Sequence, residues 1–256
     1  MTKTQREKLT HIVRTFTDQA GQIAVMVQSK TDPALGVAIN DEKPLPSASL
    51  IKIAIACAAA DDPQVDLSKP IKVSDLDATF YCSILQAFDP IDEISLKSLI
   101  GLMLIVSDNP ATTAVLDAIG MDKVNAWLAS NGLNETNLDI GFDDASLGAP
   151  LRANQTNAQD CIRLLRLVDT NPAYAFIKHM LANNLRNERI PKKLPDEAVI
   201  AHKTGTLNGL MHDIAIIESP DAAYYLVILA DGLSEDANFA GNIAAFSREI
   251  YNLMSA

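Results

Sequence analysis

Little in this chain could bind a metal, staple a fold or cross a membrane. Cysteine occurs three times, at Cys57, Cys82 and Cys161, an odd count without C-x-x-C spacing, so neither a disulfide framework nor a zinc site is expected. Cys57 and Cys161 fall in apolar helical runs and read as small hydrophobes. The four histidines, His11, His179, His202 and His212, do not cluster, and neither metal nor cofactor is predicted. No stretch approaches ~20 consecutive apolar residues, so no membrane span is expected. Basic residues are outnumbered, 21 Lys and Arg against 32 Asp and Glu for a net charge of −11, which argues against a partner built on a phosphate backbone. Arg6, Glu7, Lys8, His11, Arg14 and Asp18 interrupt any apolar leader. With Met1 as the native start the protein is expected in the cytoplasm; with a leader trimmed away, it would be secreted or periplasmic.

What is present is an ordinary globular composition. The 256 residues are 48% hydrophobic and 21% charged, enough for one large domain or two. Leu9, Ile12, Val13 and Phe16 have helical spacing, with Gly21 as the stop. Gln22 to Gln28 and Leu35 to Ile39 read as a hairpin. Residues 61–93 are loop-rich, with two short amphipathic pieces. Ser95 caps a helix carrying Leu96, Leu99, Ile100, Met103 and Leu104, and Pro110 separates it from another over 111–119 that closes at Gly120. Helices follow over 121–131, 156–168 and 173–185, around an irregular stretch from Leu133 to Asn154 long enough to suggest a functional loop. Val199 to His202, Asp213 to Glu218 and Ala223 to Ala230 read as strands, and Phe239, Ile243, Phe246 and Ile250 as a last helix. Helix, two strands, a helical middle, three strands and a helix favour one α+β domain built from both parts of the chain around an all-helical insertion.

The organising stretch is Pro46-Ser47-Ala48-Ser49-Leu50-Ile51-Lys52, which enters a helix apolar on every side. Residues i and i+3 share a helix face with Cβ atoms roughly 5–6 Å apart, so Lys52 is expected within reach of the Ser49 hydroxyl. Desolvation and the positive end of the helix dipole both favour the neutral amine, the form able to take a proton from a serine. The same residues could equally be a helix cap and a snorkelling lysine.

Two later motifs give that pair its meaning. Ser107-Asp108-Asn109 precedes Pro110, and Lys203-Thr204-Gly205 follows His202. Alone, the first reads as a helix stop with Asx-turn chemistry and the second as a strand end with a turn. Ser49-x-x-Lys52, Ser107-Asp108-Asn109 and Lys203-Thr204-Gly205, in this order and at these intervals, resemble the motif set of class A β-lactamases and penicillin-binding proteins. Arg189-Ile190-Pro191, Leu194-Pro195 and His212-Asp213-Ile214-Ala215 add to the likeness, and Asn154-x-Thr156 is similar to the end of that family's Ω-loop. The resemblance implies a serine β-lactamase/DD-peptidase-like fold: an antiparallel sheet flanked by helices in a discontinuous α/β subdomain (1–44 and 186–256), and an all-α subdomain (45–185). It implies that Ser49 attacks a carbonyl, with the N–H groups of Ser49 and Thr206 as oxyanion hole. Lys52 would be base or proton relay, Ser107 and Lys203 would serve the leaving nitrogen, and Asn109, Thr204, Gly205 and Thr206 would bind substrate.

Two departures stand out. The family's Ω-loop glutamate, which activates the deacylating water, has no counterpart; its place falls near Phe142, with Asp143 and Asp144 as possible stand-ins. No arginine is evident for the substrate's carboxylate, and His212 takes one of the places where the family carries it. The expected activity is therefore a class A β-lactamase-like serine hydrolase, opening a β-lactam or related amide through an acyl-Ser49 intermediate whose hydrolysis is slow. The alternatives are a D-alanyl-D-alanine peptidase or esterase, and a non-catalytic penicillin-binding sensor. The expected partner is a small-molecule β-lactam or an acyl-peptide or ester, bound by a monomer.

Overall fold

Burying Leu9, Val13 and Phe16 on one face makes the first segment the helix α1 (Lys3–Thr17). The computed structural model describes residues 3–19, 21–32, 35–76, 83–87, 92–143, 149–234 and 238–256. After α1 come the hairpin strands β1 (Gln22–Ser29) and β2 (Gly36–Ile39), then the two-residue strand β3 (Leu45–Pro46). A 3-10 turn over Ala48–Ile51 leads into α2 (Lys52–Asp61), buried from Lys52 through Ala59. Strands β4 (Pro70–Lys72) and β5 (Glu93–Ser95) pair across the stretch read as loop-rich.

Ser95 caps α3 (Leu96–Ile105) by accepting the Ser98 N–H. Helix α4 (Asn109–Ile119) starts earlier than Ala111, because the Asp108 carboxylate takes the Ala111 N–H and Pro110 sits in the first turn, where a missing donor costs nothing. Helix α5 (Met121–Ser130) follows, and β6 (Gln155–Thr156) pairs with β3. Then come α6 (Ala158–Thr170), α7 (Ala175–Ala182), β7 (Val199–Leu207), β8 (Leu210–Glu218), β9 (Ala223–Asp231) and α8 (Phe239–Met254).

The main sheet is antiparallel in the order β2-β1-β9-β8-β7, so the fold is α+β. One apolar core joins one sheet face to α2 through α7; a second joins the other face to α1 and α8. The strand predicted to end at His202 runs on to Leu207, carrying Lys203-Thr204-Gly205 inside an edge strand. The turn falls instead at Asn208-Gly209, where Gly209 has φ +69° and Leu207 pairs with Leu210. Asn-Gly between apolar runs is a strong hairpin signal, and it outweighs the glycine at 205. Among the described residues no helix is long and apolar enough to cross a membrane.

Candidate active site

Ser49 lies in the 3-10 turn that opens α2, and the turn is held from three sides. Ala48 takes φ +45°, a left-handed conformation that an alanine keeps only when its surroundings impose it. The Ser47 N–H donates to Asn154 O at 2.7 Å, and β3 pairs with β6 just before it. Behind the turn, Ala230 N–H donates to His212 Nδ1 at 3.0 Å, which leaves the ring proton on Nε2 to donate to Pro46 O at 2.8 Å. Burial pushes the His212 imidazole down to about 4, which keeps it neutral at pH 7. Gly205 on β7 passes so close that a Cβ there would lie 3.2 Å from Ala48 Cβ and 3.3 Å from Ser47 O. The absent side chain lets the edge strand run against the serine turn.

Both lysines are fully buried and meet at Ser107. Lys52 Nζ donates to Ser107 O at 2.8 Å and Asn109 Oδ1 at 2.6 Å and lies 3.4 Å from Ser107 Oγ. Lys203 Nζ donates to Ser107 Oγ at 3.0 Å and Thr204 O at 2.9 Å. Ser107 holds φ +63°, which turns its carbonyl toward Lys52. Burial first, then the charges of Lys203 and Arg186 against the opposing Asp108, hold the Lys52 amine well below the usual lysine range. Burial lowers Lys203 to about 7, Arg186 and Arg189 adding to it and Asp213 opposing. A neutral Lys52 has two N–H groups and one lone pair. The two short contacts to acceptors use both hydrogens, so the lone pair is left to take a hydroxyl proton. The expected hydrogen bond from Ser49 to Lys52 is not formed; among the described residues the Ser49 hydroxyl, half-buried, has no partner.

The cation missing from the sequence reading is Arg189. Its guanidinium is buried against the edge of β7: Nη1 donates to Gly205 O at 3.0 Å and to His212 O, and Nη2 to Thr206 Oγ1 at 2.5 Å. One Nη2 hydrogen remains behind the exposed Thr206. His212 was expected to help hold substrate, but both of its ring nitrogens serve backbone groups and it has no donor left for a carboxylate. The only sign of Arg189 was an arginine before an Ile-Pro pair.

The loop that should carry a carboxylate presents a phenyl ring. Phe142 is buried with its ring centroid 4.6 Å from Lys52 Nζ. Asp143 is exposed, and Asp144 lies outside the described residues. The neck of this loop is closed by Asn154, fully buried, which accepts the N–H groups of Asp139 and Ile140 at 2.8 and 2.9 Å and donates to Ile140 O at 2.9 Å. Among the described residues no group of His, Cys, Asp and Glu side chains could hold a metal ion.

The arrangement can therefore make a nucleophile of a serine, pass its proton through a neutral amine to a second hydroxyl, and hold an anion beside Lys203, Thr204, Thr206 and Arg189. Among the described residues no carboxylate pairs with Lys52, whose partners are Ser107, Asn109 and the Phe142 ring. Compared with known proteins, no curated sequence matches the chain. Solved structures share its fold: TLA-3 extended-spectrum beta-lactamase (TM-score 0.85, 20% identity, 98% of this chain and 100% of that one), a beta-lactamase from Sphaerobacter thermophilus DSM 20745 (0.83, 20%, 99% and 98%), and PBP-A (0.82, 20%, 98% and 95%). The model of the beta-lactamase enzyme family matches residues 5–254, and the chain belongs to that family.

Proposed function

We propose that the protein is a serine hydrolase that opens a β-lactam, or a related acyl-peptide or ester, through an acyl-Ser49 intermediate, and that it hydrolyses this intermediate slowly. The observation that carries the reading is the meeting of two buried amines at the Ser107 hydroxyl, beside an unpartnered Ser49. In the first step the Ser49 oxygen bonds to the lactam carbonyl carbon while its proton passes to the Lys52 lone pair. The carbonyl electrons move onto oxygen, held by the N–H groups of Ser49 and Thr206. When the C–N bond breaks, the Ser107 hydroxyl protonates the leaving nitrogen and is reprotonated from Lys52. Lys203, Thr204, Thr206 and Arg189 hold the substrate's carboxylate, and Asn109 steadies Lys52.

The second step needs a water and a base. Phe142 supports slow hydrolysis because an apolar ring beside Lys52 neither orients a water nor takes its proton. That slowness suits a penicillin-acylated peptidase or sensor as well as a weak lactamase. PBP-A, also solved as a point mutant in an acyl-enzyme complex with penicillin G, has this fold.

The test mixes the protein with a chromogenic cephalosporin and with benzylpenicillin and follows product and intact mass. A stoichiometric burst and a mass increment on Ser49, absent in Ser49→Ala, is the expected result. Sustained rapid turnover would refute slow hydrolysis. Labelling that persists in Ser49→Ala would remove Ser49 as nucleophile. No reaction with either β-lactam, but hydrolysis of acyl-D-alanyl peptides or esters, would favour the peptidase or esterase.

A further inference from the structure

Asp213 sits across from Thr204 in the β7–β8 register, fully buried. Its strand neighbours Ala215 and Ile217 belong to the core behind the sheet, whereas Ile214 faces α2. The carboxylate therefore lies behind the strand that carries Lys203. Its two oxygens go to different arms of the site. Oδ1 meets His202 Nδ1, one residue before Lys203, at 2.9 Å; Oδ2 accepts the Ile190 N–H, one residue after Arg189, at 3.0 Å. His202 is buried too, and its Nε2 meets Asn187 Oδ1 at 3.1 Å, in the segment that leads to Arg189. The acyl-transfer steps give none of these groups a task. A buried pair kept for stability alone could be matched by apolar residues of similar volume.

We propose that Asp213 is a positioning residue, one buried carboxylate that ties the Lys203 strand to the Arg189 segment and so sets the spacing of the two cations that receive the substrate's carboxylate. This rests on the acyl-transfer reading of the site. The charge of Asp213 also counters the burial of both cations: it raises Lys203 and Arg189, while Arg186 lowers both and Arg189 lowers Lys203. Lys52 of α2 faces Lys203 from the other side, with Asp108 at the start of α4 behind it.

Asp213→Asn keeps the shape and an acceptor for Ile190 while removing the charge. Lysine side-chain carbon NMR, with Lys203 assigned by its loss in Lys203→Arg, reads the ammonium titration in the free protein and needs no reaction. The midpoint should fall by about one pH unit or more, roughly a tenfold change in the proton equilibrium. The basic limb of Ser49 acylation by benzylpenicillin should move with it. A role confined to stability would lower Tm and leave the midpoint alone, and an unmoved midpoint overturns the proposal. His202→Gln keeps the charge but cuts the tie to β7. It should leave the midpoint unchanged or higher and slow acylation about tenfold, about 1.4 kcal/mol in the barrier; a lowered midpoint or an unchanged rate overturns the proposal, also if Asp213→Asn does not fold. Were the wild type never acylated by a β-lactam, the functional reading would fail, and the lysine titration alone would decide on Asp213.

Discussion

Phe142 and Lys52 face each other across 4.6 Å, a contact that would bear oppositely on the two steps of the proposed reaction. In the proposed reaction the ring would help keep bulk water from the buried amine that takes up the Ser49 proton, while offering the hydrolytic water no proton acceptor of its own. Phe142→Glu should therefore shorten the lifetime of a penicilloyl adduct, by about 10²-fold if the carboxylate reaches a water; intact mass followed over time checks it. The buried lysines also leave a mark on stability. Lys203 titrates at about 7 in the native protein and near 10.4 when unfolded, so between those values the unfolded chain binds the extra proton and stability rises with pH. Removing the amine cancels that penalty. Lys203→Met should be more stable than wild type at pH 7, with a gain that shrinks toward pH 10, read by urea unfolding at several pH values. At this scale the sequence was most informative, because Ser49, Lys52, Ser107, Asn109 and Lys203 belong to motifs whose residue types state their chemistry. Arg189 and Asp213 were not legible, since only the fold brings near the backbone and side-chain groups they meet.

The loop between Leu138 and Asn154 is fastened at two places of unequal value. Arg152 forms a fork with Asp231 at 2.6 and 2.7 Å but is over a third exposed, and pairs of that kind contribute about 0–1 kcal/mol. Asn154 is fully buried and satisfies three backbone groups of residues 139 and 140. Unsatisfied, each such group costs about 1–3 kcal/mol. Because Asp139 is exposed and Ile140 half-buried, water can replace part of what is lost, so Asn154→Ala should destabilise the protein by about 1–3 kcal/mol in all and expose the Asp139 and Ile140 amides to hydrogen exchange, whereas Arg152→Ala should do neither. A comparable loss in the two variants would contradict this ranking. Helices announced themselves in the sequence through long 3.6-residue patterns, and the hairpins through β-rich runs. The missed elements were short: β3, β4, β5 and β6 are two or three residues each, too few to show a period, and exist because a distant partner strand accepts them.

Across the whole molecule, the helical layer and the sheet are joined by a charge cluster as well as by the apolar core. Asp169 on α6 binds Lys30 after β1 and Lys178 on α7, both at 2.7 Å, and accepts the Tyr225 hydroxyl of β9 at 2.7 Å; Glu218 of β8 closes the ring to both lysines. Asp169 is only 5% exposed against 37% for Glu218. Asp169→Asn, which leaves two ammonium groups to share the half-exposed Glu218 carboxylate alone, should lower Tm by about 5 °C or more, and Glu218→Gln by clearly less, by calorimetry. Positions 30, 169, 178 and 218 share no sequence pattern, so nothing foretold the cluster. The strand order has a consequence in time. β1 finds its central partner only in β9, some two hundred residues later, and β7 cannot be backed by the finished sheet before then. A chain leaving the ribosome therefore carries its serine turn long before the scaffold that arms it. The slow closing of that distant strand pair is where a chaperone would have most to guard.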